Sequence, residues 1–147
     1  MILDEKYDLI VVGGGHSGCE AAHSSATLGS KVLLITQNLE TIARMSCNPA
    51  VGGLAKSHLV HEIDAFGGIM SIAADYSGIQ FKTLNVSKGR AVRSLRIQTD
   101  KKKYPLYIKK ILASCDNISF IEGEVVSFET KNGEVSSLRL ASGEKIL

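Results

Sequence analysis

A short apolar and β-branched run, Tyr7-Asp8-Leu9-Ile10-Val11-Val12, passes without a spacer into Gly13-Gly14-Gly15-His16-Ser17-Gly18. Cys19-Glu20-Ala21-Ala22 then opens a helix. Strand, glycine turn and helix in that order are what a dinucleotide-binding unit requires. Gly13, Gly15 and Gly18 fit G-x-G-x-x-G. The first permits the tight turn, the second lets backbone approach a pyrophosphate, and the third lets helix and strand pack closely. The helix N-terminus adds amides that have no acceptor within the helix, and a partial positive charge. These residues predict an adenine dinucleotide site; the plainer alternative is a glycine turn that only packs.

The pattern that follows completes a β-α-β unit. The helix is expected to run to about Leu28 and stop at Gly29, and Lys31–Thr36 forms a second parallel strand as a near-continuous apolar run. A dinucleotide fold usually carries Asp or Glu at the tip of this strand to hold the ribose. Here the tip is Thr36-Gln37-Asn38 and the nearest acid is Glu40, which leaves the ribose to an amide, a hydroxyl or backbone. Residues 37–58 are polar and glycine-punctuated, with a loop over Arg44–Gly53. A helix is expected from Leu54 to Phe66, with Leu59, Ile63 and Phe66 on its apolar side and Gly67-Gly68 ending it. Gly52-Gly53 either presents that helix's N-terminus to a ligand or acts as a hinge.

Further on, Ile79–Val86 is expected to be extended and Tyr104–Cys115 helical, with Leu106, Ile108, Ile111, Leu112 and Cys115 apolar. Pro105 suits a first turn, which places the start of that helix beyond the lysine run. Ile118–Glu129 is expected to be one strand, and Val135–Leu140 another between hairpin turns at Asn132-Gly133 and Ser142-Gly143. The sequence stops at Lys145-Ile146-Leu147, within what reads as one more strand, so a longer parent protein is expected.

At 147 residues, 44% apolar and 22% charged, the composition is that of one ordinary globular domain. The early acids Asp4, Glu5 and Asp8 and the lack of a long apolar stretch argue against a secretory leader or a membrane span. Cys19, Cys47 and Cys115 lack C-x-x-C spacing, which predicts reduced thiols and a cytoplasmic setting. The net charge of +2 conceals a block from Lys82 to Lys110 with ten Lys or Arg and one acid, Asp100. That block is either a polyanion footprint or a solvated helix face. His58, His61 and Glu62 share one helical stripe, but no third metal ligand accompanies the histidines, and a packing helix is the expected reading.

Several blocks narrow the class. They are Gly13-Gly14-Gly15-His16 with Gly18–Ala22; Met45-Ser46-Cys47-Asn48-Pro49-Ala50 with Gly52-Gly53; His58-Leu59-Val60 with Glu62–Ala65 and Gly67-Gly68; and Gly78-Ile79-Gln80-Phe81. Leu84-Asn85, Ser87-Lys88-Gly89, Ala91-Val92-Arg93, Arg96, Gln98 and Asp100 complete them. From residue 7 to about residue 128 the chain resembles the FAD-binding subunit of the tRNA uridine 5-carboxymethylaminomethyl modification enzyme, the MnmG (GidA) family. It departs from the family pattern at Arg90 (usually proline), Ser57 (usually glycine), His61 (usually lysine) and Pro105.

The resemblance implies an α/β, Rossmann-like FAD-binding domain: a parallel sheet with a β-meander, incomplete at its C-terminus, with the basic segment 82–110 inserted within residues 1–147. It implies an enzyme that builds a carboxymethylaminomethyl or aminomethyl group on the wobble uridine of tRNA. FAD, NADH as reductant, methylene-tetrahydrofolate as carbon donor, glycine or ammonium, and an MnmE-type GTPase partner take part, and the full-length protein is expected to be a homodimer. Gly13, Gly14, Gly15, His16, Ser17 and Gly18 would hold the FAD pyrophosphate, and Val125 would offer backbone to the adenine. Cys47 is the redox or nucleophile candidate, with Asn48 hydrogen-bonding flavin or uracil. Lys88, Arg93 and Arg96 would meet tRNA or substrate. Two other classes stay open: another FAD- or NAD-dependent oxidoreductase, and a catalytically silent fragment that binds RNA or a partner.

Overall fold

The computed structural model describes residues 2–3, in backbone alone, and 5–146. Asp4 and Leu147, both used above, lie outside the described residues. In chain order the elements are β1 (Ile2–Leu3), β2 (Leu9–Val12), α1 (His16–Thr27), β3 (Val32–Thr36), β4 (Ala50–Gly52), α2 (Lys56–Ala65), α3 (Met70–Ser77), β5 (Gly78–Leu84), β6 (Ser94–Thr99), α4 (Lys103–Ala113), β7 (Ile118–Glu122), β8 (Val125–Lys131), β9 (Glu134–Leu140) and β10 (Lys145–Ile146). The chain divides into two compact units, Met1–Ile42 with Cys115–Leu147, and Ala43–Ser114.

The first unit holds a parallel sheet of order β2-β3-β7 and a meander of order β1-β10-β9-β8. Val32, Leu33, Leu34 and Ile35 of β3 are all fully buried, as a strand covered on both faces must be. Side chains alternate along it, so Leu33 and Ile35 meet Leu138, Leu140 and Ile146 of the meander, where Tyr7, Ile10, Ile121 and Val125 complete the core. α1 lies against β2 and β3 through the small buried residues Cys19, Ala22 and Ala26. It ends as expected: Gly29 takes φ +92° and its N–H donates to the Ala26 carbonyl at 2.9 Å.

The expected single strand over Ile118–Glu129 is two. β7 pairs with β3 in parallel, Thr36 opposite Glu122, whereas β8 pairs antiparallel with β9. The chain changes sheets at Gly123-Glu124. Gly123 N–H still donates to Thr36 O at 2.8 Å, while Glu124 O already accepts from Ala141 N–H at 2.8 Å. The Asn132-Gly133 turn is a two-residue hairpin with both residues at positive φ, 56° and 85°, the twist that suits flanking strands.

The second unit is an antiparallel sheet of order β4-β6-β5 with α2, α3 and α4. Three of its elements were not anticipated: β4, α3 and β6. α2 begins at Lys56 rather than Leu54, because Gly52, Gly53 and Ala55 all take positive φ. Gly52 answers a backbone approach, since a Cβ there would stand 2.3 Å from the Leu95 carbonyl. The expected apolar side of α2 is corrected as well. Leu59, Ile63 and Phe66 are exposed, Phe66 by 91%, and the buried residue of the helix is Ser57. α4 starts at Lys103, inside the lysine run, with Asp100 Oδ1 accepting from the N–H groups of Lys102 and Lys103 at 2.8 and 2.9 Å. Pro105 falls in its first turn, where a missing N–H costs nothing. The buried stripe of α4 is Tyr104, Ile108 and Leu112, and Leu106 is exposed.

Candidate functional site

The glycine turn follows β2 directly, and Gly13 N–H continues the ladder by donating to Ile35 O at 2.7 Å. Gly13 turns the chain with φ +109°. Gly18 then brings α1 so near the strand that a Cβ would lie 1.9 Å from the Gly13 carbonyl oxygen and 3.4 Å from Val11 Cγ1. Gly15 is the N-cap residue of α1, with ordinary φ of −74° and no side chain capping the helix. A Cβ on Gly15 would meet nothing within 4 Å, so the space before the helix N-terminus is open where an anion would come. Burial holds the His16 imidazole below its usual range, against a smaller opposing pull from Glu20. Burial thus favours the neutral imidazole, and the helix amides supply positive potential at this turn.

The carboxyl ends of the parallel strands border a groove of about 320 Å³. Val12 ends β2 and Gly13 follows it, Thr36 ends β3 and Gln37 follows it, and Glu124 and Val125 come after β7. Open α/β sheets bind ligands at this end of their strands. Gly13 and Val125, far apart in sequence, are thus brought to one site. Thr36 and Gln37, the hydroxyl and amide at the tip of β3, both line this groove. Glu124 is a carboxylate that the sequence reading missed, because only the pairing of β7 with β3 carries it here. The neighbouring Glu122 is already engaged, accepting from Leu39 N–H at 3.0 Å. A larger groove of about 420 Å³ along the edge of β2 is walled by Leu9, Ile10, Phe128 and Val135 and contains none of the motif residues.

Cys47 of the second unit is exposed, whereas in the first unit Cys115 is half-buried and Cys19 buried; none of the three is in a disulfide. Cys47 lies on a loop fastened at its far side, where Thr99 N–H donates to Pro49 O at 2.9 Å. Arg96 Nη2 donates to Asn48 Oδ1 at 3.3 Å, so two of the expected residues are joined. Arg96 sits mid-sheet, with Gly52 beside it on β4 and Lys82 on β5. Two cations directly opposite one another are unfavourable unless an anion joins them. Arg93 Nη2 donates to Val86 O at 3.3 Å and so closes the turn that carries Lys88. The basic block is not one helix face: it covers β5, β6, the turns between them and α4.

Among the described residues no three His, Cys, Asp or Glu side chains group as a metal site. No helix there is long and apolar enough to cross a membrane.

A parallel sheet with a glycine turn, an uncapped helix start and a groove at the strand ends defines an α/β domain of the Rossmann type. The model of the glucose-inhibited division protein A family matches residues 8–147. The chain belongs to that family. It is 50% identical over 138 residues to the tRNA uridine 5-carboxymethylaminomethyl modification enzyme MnmG of Chlamydia felis, covering 94% of this chain and 23% of the relative. The enzyme of the same name from Thermodesulfovibrio yellowstonii is 50% identical over 143 residues, covering 97% and 23%. A crystal structure of Aquifex aeolicus GidA superposes with a TM-score of 0.93 at 46% identity, covering 98% of this chain and 24% of that one. Pseudomonas aeruginosa PqsL, at 13% identity and a TM-score of 0.68 over 95% of this chain and 40% of its own, shares the fold alone. The chain therefore spans about a quarter of the length of these family relatives.

Proposed function

We propose that residues 1–147 are the N-terminal part of the FAD-binding domain of a cytoplasmic tRNA-modifying flavoprotein. In this reading the enzyme builds a carboxymethylaminomethyl or aminomethyl group on the wobble uridine, together with an MnmE-type GTPase and as a homodimer. Family membership supports it, and the observation that carries it is the open space at Gly15 beside the strand-end groove. A pyrophosphate needs close backbone approach and helix-terminal amides, and both are present.

Gly13, Gly14, Gly15, His16, Ser17 and Gly18 hold the pyrophosphate of FAD. Thr36, Gln37 and Glu124 take the ribose hydroxyls, and the Val125 backbone takes the adenine. When bound, FAD supplies the electron transfer, with NADH as reductant, for attaching a carbon from methylene-tetrahydrofolate and an amine from glycine or ammonium. Cys47 offers an exposed thiol as nucleophile or redox group, and Asn48, held by Arg96, presents its amide to the flavin or the uracil. Lys88, Arg93 and Arg96 meet tRNA phosphate, and the insertion of the basic segment 82–110 within the domain serves that contact.

The test is the visible absorbance of the intact protein and its quenching of FAD fluorescence, with Gly15→Ala alongside. A flavin spectrum in the parent and its loss in a folded Gly15→Ala variant are expected. Equal FAD affinity in both proteins would overturn the assignment of the glycine turn.

A further inference from the structure

α3 and α4 carry a second surface that the cofactor reading leaves unused. Tyr76 of α3 and Tyr107 of α4 stack with ring centroids 4.1 Å apart and planes 14° from parallel. Tyr76 is 63% exposed, although tyrosine rings at a helix–helix contact usually bury themselves. A groove of about 170 Å³ runs beside the stack, and Lys103, Leu106 and Lys110 form the rest of its wall. Lys103 and Tyr107 are four residues apart on α4, as are Leu106 and Lys110, so all four side chains share one contiguous stripe. Among the described residues neither Lys103 nor Lys110 is in an ion pair. Asp100, the one acid of this basic block, accepts from the backbone N–H groups of Lys102 and Lys103.

An aromatic stack open on one side and flanked by two ammonium groups matches one ligand chemistry: an unpaired nucleobase on its phosphate backbone. The base extends the π-stack, and the lysines meet the phosphates on either side. An acidic protein surface would use the lysines but leave the rings without a role. We infer that the Tyr76–Tyr107 stack with Lys103 and Lys110 is a docking platform for a single-stranded nucleotide of RNA. This rests on the reading of tRNA as a partner and adds where an unpaired stretch of it is held.

The experiment titrates the intact protein into a fluorescein-labelled anticodon stem-loop RNA and, separately, into a blunt RNA duplex, at several salt concentrations. Tyr107→Ala and Tyr76→Ala should each weaken stem-loop binding by between about fivefold and a hundredfold. Tyr107→Phe, which keeps the ring, should retain it, and duplex binding should not respond to the tyrosines. The double variant Lys103→Ala/Lys110→Ala, confined to exposed positions, should flatten the dependence of log affinity on log salt by about 0.7 per lysine. Parent-like stem-loop affinity and salt slope in the ring and lysine variants would overturn the platform, and this is also the result an acidic protein partner would give. An intact protein that binds neither RNA would overturn the tRNA reading itself.

Discussion

Gly18 and the Gly13 carbonyl oxygen are so close that a methyl group on Gly18 would stand 1.9 Å from that oxygen. The obstacle is backbone, which cannot rotate aside, so α1 must move off β2 if Gly18 gains a side chain. Gly18→Ala is therefore expected to cost stability at the upper end of overpacking effects, about 3 kcal/mol. Gly15→Ala, with φ −74° and open space around it, should unfold within about 0.5 kcal/mol of the parent. Urea unfolding of both variants checks this, and equal midpoints would contradict the geometry.

The three thiols should react in a fixed order. Cys47 is exposed, Cys115 half-buried and Cys19 only 1% exposed. With an aromatic disulfide reagent under native conditions, Cys47 should label first and Cys19 only on unfolding. Arg96→Ala removes the hydrogen bond to Asn48 and should quicken Cys47 labelling severalfold while leaving Cys19 protected. Mass spectrometry of the labelled peptides reads the order directly.

Asn117, the residue just before β7, fastens the end of α1. Its Nδ2 donates to Ala26 O at 2.8 Å and to Ser30 O at 2.7 Å. Asn117→Ala takes the donor from Ser30 O and one of the two donors from Ala26 O, which keeps Gly29 N–H, and should cost about 1–3 kcal/mol. Asn117→Asp turns an acceptor toward two acceptors and should cost at least as much at pH 7. Thermal unfolding of the pair tests the ranking, and an aspartate variant more stable than the alanine one would refute it.

Glu129 should make the meander sensitive to acid. Its carboxyl is drawn down to about 2, first by the hydrogen bond from the Lys145 ammonium, then by the Ser137 hydroxyl, the Lys145 charge and Arg139. The folded value lies below the unfolded one, so the contribution is complete above roughly pH 4.3 and is lost as pH falls toward 2. The groups are exposed, so added salt should weaken the effect. Glu129→Gln is expected to narrow the stability difference between pH 7 and pH 3, measured by urea midpoints. An unchanged difference would show that other carboxyls govern acid unfolding.

The unit that carries the glycine turn was legible because its signals are local. A β-branched run, a glycine turn, Gly29 after the helix and Asn132-Gly133 in a hairpin each act within a few residues. The second unit was harder to read. Leu95-Arg96-Ile97-Gln98 alternates as a strand should, but its arginine drew it into a charge block and masked β6. α3 is only eight residues long and its Met70–Ser77 sequence contains no capping signal. The break at Gly123 depends on Leu140, whose Cδ1 would be 3.0 Å from a Cβ there, a contact no local pattern announces. Glu124 reached the groove unseen for the same reason: it arrives by strand pairing.

β3 and β7 are neighbours in the parallel sheet, yet residues 37–117 separate them along the chain. On the ribosome, β2 and β3 emerge and then wait on the order of ten seconds for Ile118–Glu122 to be made. A two-stranded sheet alone is marginal in water, so Leu33 and Ile35 stay wet through that interval. The whole Ala43–Ser114 unit, with its cationic surface, is synthesised before the strand-end groove can close. A nascent chain of this protein can thus meet polyanions before its strand-end groove exists, and a slow stretch of translation just after Ser114 would lengthen that window.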